Sequence, residues 1–279
     1  MLTVPAQLLG DGDADAIQAV LDREPIAGAQ VAEMVNLTGV DWWRSGARLF
    51  GYGAAGRIDA LCWFGTNLIP VAADPAAIAA FAAIGRAERR RCSSIVGPAD
   101  AVLEIWKRVR GWWGPAREVR DNQPLMVADA PPPVAPDPAV RLVRPDEIDI
   151  LLPAAVAMYT AEVGVSPVTS ADGQPYRRRV AHLIKGRRAY ARISDGEVVF
   201  KADLAVMTPQ TAQIQGVWVP PRLRGSGLAT AGVAAVVTDA LNRGIPNVSL
   251  YVNHHNTAAR RVYERCGFRE IGRFATVLF

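Results

Sequence analysis

At 279 residues the chain is long for one domain and comfortable for two. Half of it is apolar and 21% is charged, as in folded water-soluble proteins, and the net charge of +4 comes mostly from arginines scattered among acidic residues. That distribution argues against a nucleic-acid binder and suits a small polyanionic ligand, while three distant cysteines without CxxC spacing (Cys62, Cys92, Cys266) argue against a disulfide framework and a zinc site.

The chain opens on Met1-Leu2-Thr3-Val4-Pro5-Ala6, which lacks the basic and apolar regions of a signal peptide. Residues 48–52 and 58–64 read as a hairpin about residues 54–57. The most apolar stretch, residues 71–84, is broken by Asp74 and Pro75 and is shorter than the ~18–20 residues that span a bilayer. A soluble, cytoplasmic protein with no membrane partner is therefore expected. Residues 93–96 read as a strand feeding a helix over 98–109, and residues 118–127 as a further strand. The tryptophan pairs Trp42-Trp43 and Trp112-Trp113 are expected in core or interface rather than in a ligand cage.

The run from Asp129 to Pro138 is too rich in proline for helix or sheet, and it divides the chain into residues 1–128 and 139–279. After it come a strand (140–144), a helix with an acidic first turn (146–162), a loop (166–175) and a second helix (176–185). Strands 189–193 and 198–206 meet at Asp195-Gly196, a strong hairpin signal, and strand 213–219 ends at Pro220-Pro221. A helix over 227–243, a buried strand over 248–252, a helix over 256–266 and paired strands or a hairpin over 268–279 complete the chain.

The sharpest motif is Arg222-Leu223-Arg224-Gly225-Ser226-Gly227-Leu228-Ala229, which leaves a strand and opens a helix. Free N–H groups and the positive helix end make an anion site there, and the glycines admit φ > 0 and a close phosphate. A P-loop needs GxxxxGK[ST], which is absent. A dinucleotide fingerprint needs Gly or Ala where Thr230 stands and an acidic residue where Asn253 stands. A solvated, glycine-rich turn is the plain alternative. Further on, Asn256, Ala259 and Tyr263 share one helix face at i, i+3, i+7, and Asn256 suits an N-cap.

The run from Val217 to Gly227 resembles the [Q/R]xxGx[G/A] motif of the GNAT superfamily of N-acetyltransferases, and the run from Leu250 to Phe268 resembles that superfamily's second conserved block. The resemblance covers about residues 140–279 and implies an α+β fold, a mixed, mostly antiparallel central sheet flanked by helices. Residues 1–128 would be a degenerate second GNAT-like domain in tandem, supporting or covering the acceptor site. Acetyl-CoA is implied as co-substrate, with an amine on a small molecule or peptide as acceptor. The resemblance puts the diphosphate on Arg222, Arg224, Gly225, Ser226, Gly227, Leu228, Ala229 and Thr230. It pairs pantetheine with the backbone of Val217, Trp218 and Val219, and brings in Asn253, Asn256, Ala259 and Tyr263. The Val219 amide would stabilise the oxyanion and Tyr263 would protonate the departing thiolate, whereas the Trp218 ring would face the core.

Many members carry a Glu on the central strand as base, but Gln213 and Gln215 stand there. Glu162, after Met158-Tyr159, is the best remaining carboxylate, with an exposed helix-end role as the alternative. Lys201 and Asp203 line the same region without a rank, and His254-His255 read as loop residues, with a proton relay beside the CoA-side strand as the alternative. Three functions follow: an amine acetyltransferase, a mycothiol-synthase-like enzyme differing in acceptor, or a CoA-binding scaffold without turnover.

Overall fold

The computed structural model describes residues 6–54, 56–168 and 173–279, so the signal-peptide reading of Met1–Pro5, the turn residue Ala55 and part of the 166–175 loop lie outside the described residues. The chain forms two compact units: Met1–Leu125 with Tyr251–His255 and Glu270–Phe279, and Met126–Leu250 with Asn256–Arg269. Tyr251–His255 and Glu270–Phe279, expected with the C-terminal half, thus count with the first unit.

The first unit contains β1 (Gln7–Leu8), α1 (Ala14–Arg23), α2 (Ala29–Thr38), α3 (Trp42–Ser45), β2 (Arg48–Tyr52), β3 (Ala60–Phe64), β4 (Asn67–Val71), α4 (Pro75–Ala87), β5 (Ser94–Pro98) and α5 (Ala99–Trp113). Strands β1 to β4 pair antiparallel in order, and β5 runs parallel to β4. Alternation splits the strand residues between two cores. Phe50, Cys62 and Leu68 pack with Phe81, Ile105 and Val109 of α4 and α5. Leu49, Leu61, Trp63 and Ile69 pack with Ile17, Val20 and Val31 of α1 and α2.

Strand β6 (Glu118–Ala128) leads, through residues 129–138 without helix or strand, to the second unit. There follow β7 (Arg141–Leu142), α6 (Ile148–Val163), α7 (Gln174–Lys185), β8 (Ala189–Ser194), β9 (Glu197–Met207), β10 (Ala212–Trp218), α8 (Leu228–Asn242), β11 (Val248–Tyr251), α9 (Thr257–Arg265) and β12 (Arg269–Leu278). Strands β7 to β10 pair antiparallel in order, and β10 meets β11 in parallel. Asp195 and Gly196 both take positive φ (51° and 76°), the primed turn that suits the twist of a hairpin. Helices α6 and α7 cover one face through Leu151, Ala155, Val180 and Ile184. Helix α8 lies close to β9, where a Cβ on Gly232 would fall 2.6 Å from the Phe200 ring.

The same element order therefore occurs twice: strand, helices, three strands, helix, strand, helix, strand. Residues 268–279, expected as a hairpin or strand pair, form the single strand β12, antiparallel to β5. Gly272, where an added Cβ would meet no atom within 4 Å, is accommodated within it without a turn. The apolar stretch 71–84 is the end of β4 and most of α4. Of the tryptophans, Trp113 is buried and donates to the Gly85 carbonyl (2.6 Å), as a core residue should. Trp42, Trp43 and Trp112 are instead exposed, with Arg44 over Trp43 and Arg86 over Trp112. No described helix is long and apolar enough to cross a membrane.

Candidate functional site

The loop between β10 and α8 is shaped by a tight turn and two left-handed glycines. A short 3-10 turn at Pro221–Leu223 ends the strand's direction, and the Ser226 hydroxyl donates to the Leu223 carbonyl at 2.6 Å. Gly225 and Gly227 then take φ of +80° and +87°, conformations that any Cβ strains. A Cβ built on either meets no protein atom within 4 Å, so the space beside both glycines is free. Gly227 is the N-cap residue of α8, and the first turn of that helix holds no acidic residue. Its positive end is not neutralised from within the helix.

The two arginines of the motif are tied to neighbours. Arg222 makes an ion pair with Glu197 in an exposed setting. Arg224 folds back: its Nε donates to the Val219 carbonyl at 3.2 Å and its guanidinium lies 5.0 Å from the Trp218 ring centroid. Trp218, expected in the core, is therefore half-buried and capped by Arg224. It follows a bulge that turns the strand, which spoils the alternation on which the core reading rested.

Strand β10 also parts from β11 before it reaches the bulge. Strand β10 matches β11 only at Ala212↔Val248 and Gln213↔Ser249 among the described residues. Against β9 its register slips by one residue between Gln215↔Asp203 and Trp218↔Lys201, with Gly216 at φ +62° absorbing the extra residue. The segment from Gly216 to Val219 thus diverges from β11 just before the glycine loop.

Helix α9 begins at Asn256, whose Oδ1 accepts from the Ala259 amide at 3.2 Å. Ala259 is half-buried, while Tyr263 is buried and meets Phe268 edge-on at 5.8 Å between centroids. Burial pushes the Tyr263 phenol well above its usual range, and the negative charge of Glu162 pushes it further. The structure accordingly brings Glu162, at the end of α6, into electrostatic reach of Tyr263. The same carboxylate acts on Tyr176, whose phenol is pushed up to about 12 by burial, then by Asp203, with Tyr159 and Glu162 adding to it. Tyr176 donates to the Ala155 carbonyl at 3.0 Å and meets Tyr159 at 5.4 Å.

Gln213 and Gln215 are bonded to each other, Nε2 of Gln215 donating to Oε1 of Gln213 at 3.0 Å. Asn253 counts with the first unit, where its Oδ1 accepts from Gln123 Nε2 at 2.9 Å. His254 and His255 are exposed loop residues. Residue type alone does not rank Lys201 and Asp203. Both are buried on β9 and form an ion pair at 2.6 Å, with Lys201 also donating to the Gly216 carbonyl at 2.9 Å. The available signal was two charges at i, i+2 on one side of the otherwise apolar run from Val198 to Val206.

In the first unit the junction corresponding to the glycine loop is that between β4 and α4. Asp74 caps α4, accepting from the Ala77 amide at 2.7 Å, and Pro75 follows at the first helical position. A carboxylate already holds that helix end, which disfavours an anion there.

Residues 157–268 match the family described as the acetyltransferase (GNAT) family, and residues 47–151 match a domain of unknown function, DUF4081. A 56-residue stretch, 20% of the chain, is 43% identical to a mycothiol acetyltransferase from Thermobispora bispora and covers 19% of that protein. The chain spans about a fifth of the length of the curated relatives it matches. A GCN5-related N-acetyltransferase from Sphaerobacter thermophilus shares the fold with a TM-score of 0.58 at 18% identity, over 97% of this chain and 93% of that one. A tandem GNAT protein from the clavulanic acid biosynthesis pathway does so with a TM-score of 0.53 at 13% identity, over 98% of each chain. These structures extend the GNAT fold over the whole chain.

Proposed function

We propose that this chain, which carries a GNAT-family acetyltransferase domain in residues 157–268, transfers an acetyl group from acetyl-CoA to an amine. One observation carries the reading: a left-handed, unfilled glycine loop opens α8 where β10 has just parted from β11. The diphosphate of acetyl-CoA fits the amides of Gly225–Leu228 and the end of α8. The pantetheine arm then runs in the gap as an added strand along Val217, Trp218 and Val219. Asn256 and the small Ala259 on α9 line its other side.

In this scheme the Val219 N–H stabilises negative charge on the acetyl oxygen, and Tyr263 gives its proton to the departing thiolate. A phenol whose proton is held more tightly than usual is fully protonated at neutral pH, as an acid must be. Glu162 takes the proton that the amine loses, in place of the strand carboxylate that Gln213 and Gln215 cannot supply. Its charge acts on both Tyr263 and Tyr176, which supports a base and an acid serving the same reaction.

The test is turnover of the full chain with acetyl-CoA, a panel of small-molecule and peptide amines and a thiol reagent. Amine-dependent release of CoA is expected. Binding of acetyl-CoA without any release would leave a CoA-binding scaffold instead. A second reading, an acceptor of the kind served by mycothiol acetyltransferases, is supported by the local match to those proteins. It predicts that the acceptor of mycothiol acetyltransferases outperforms peptide amines in the same panel.

A further inference from the structure

We propose that Lys201 and Asp203 are a positioning pair: through the Gly216 carbonyl they hold the β10 bulge and so aim the Val217–Val219 edge. This rests on the reading that the edge receives acetyl-CoA.

The slip from Gln215↔Asp203 to Trp218↔Lys201 gives β10 one residue more than β9 across this interval. A bulge of this kind takes a residue out of the regular ladder. Here the Gly216 carbonyl accepts from the Lys201 ammonium at 2.9 Å, and Asp203 Oδ2 holds that ammonium at 2.6 Å. Lys201 is 1% exposed. A Cβ on Gly216 would sit 3.0 Å from each of Asp203 Oδ2, Lys201 Nζ and Met158 Cε, so pair, bulge and α6 converge on one point.

Stability alone does not account for the pair. Desolvating two charges offsets most of their attraction, and apolar side chains of similar volume commonly serve a core as well or better. What an apolar pair cannot do is hold a carbonyl in a bulge. The residues immediately beyond that carbonyl are those whose N–H and C=O groups the acyl arm would use. Their direction therefore depends on a contact made two residues upstream of Trp218.

The experiment compares full-length wild type with Lys201→Arg, Lys201→Met and the double variant Lys201→Met/Asp203→Leu. Four quantities are read: melting temperature, acetyl-CoA affinity by calorimetry, kcat on the best amine, and amide hydrogen exchange across residues 216–219. Lys201→Met strands a buried carboxylate and should lose both stability and rate. The double variant should regain its melting temperature yet remain about 10²-fold down in kcat, with faster exchange at 217–219, as expected for a displaced reacting edge. Lys201→Arg should recover part of the rate. A double variant with wild-type kcat, affinity and exchange would overturn the proposal and leave the pair a packing feature. Should wild type bind acetyl-CoA but acetylate no amine, the catalytic reading falls. The pair is then judged on affinity and exchange alone: both unchanged in the double variant overturn it, and both altered support it.

Discussion

Tyr263 separates the chemical reading from a merely structural one at the scale of single residues. It is buried against Phe268, so truncating the ring would perturb packing and function together. Tyr263→Phe removes only the hydroxyl. Acetyl-CoA affinity should hold within a small factor while kcat falls by ~10²–10⁴, with the melting temperature as control. Unchanged kcat in a normally stable variant would assign the proton to water or another group. Burial and Glu162 raise this phenol, so the acid is lost only as pH climbs past the ordinary tyrosine range. Below that range the wild-type rate should rise with pH as the amine deprotonates, without a falling limb from Tyr263. Gly227→Val tests the other end of the ligand. At φ +87° a valine is strained and its side chain enters the space beside the loop, so acetyl-CoA binding should be lost. Normal binding in a folded Gly227→Val protein, followed by calorimetry, would move the diphosphate elsewhere. The glycines, Asn256 and Tyr263 were legible because each answers to one local rule: positive φ, a cap, a helix face. Lys201 and Asp203 were not, because their meaning depends on a register slip in a neighbouring strand.

Helix α6 shows how an element's anchoring reaches the site. Its start is fixed by Glu147, which accepts from Arg141 at 2.6 and 2.8 Å and from the Arg144 amide at 2.8 Å; its far end carries Glu162. The bonds from Arg141, opposed by burial and aided by the Arg144 amide, hold the Glu147 carboxyl down at about 2, below the ordinary glutamate value. A depressed carboxyl contributes stability that is present above the unfolded pKa and lost as pH falls through the folded one. Glu147→Gln should therefore lower the melting temperature at pH 7, with the deficit shrinking from about pH 4.5 toward pH 2. A deficit independent of pH, measured by thermal melts across that range, would mean that shape and not charge anchors the helix. Elements of the second unit were legible to within a few residues because Gly and Pro punctuate them: Asp195-Gly196, Pro220-Pro221, Gly227, Gly244, Gly267. Strand β4 escaped because Pro70 reads as a breaker, although its parallel pairing with β5 stops two residues earlier, at Leu68. Helix α1 went unread despite Ile17, Val20 and Leu21 at helical spacing, a signal that was present.

For the whole molecule, the repeated element order makes the two units a natural experiment. Both carry a three-strand meander and a parallel pairing that stops after two residues, β4 with β5 and β10 with β11. They differ in what stands at the next helix. In the second unit there are two left-handed glycines with open space; in the first, the Asp74 carboxylate accepts from the Ala77 amide. Of the two helix starts, only the former suits a diphosphate. The membership of Glu270–Phe279 in the first unit was not legible, since a strand's partner cannot be read from its own residues. The most direct measurement is hydrogen exchange on the full chain with and without acetyl-CoA. Protection should appear across residues 216–230 and 256–263 and be absent at residues 72–77. Protection confined to the first unit, or none anywhere at saturating acetyl-CoA, would contradict the account.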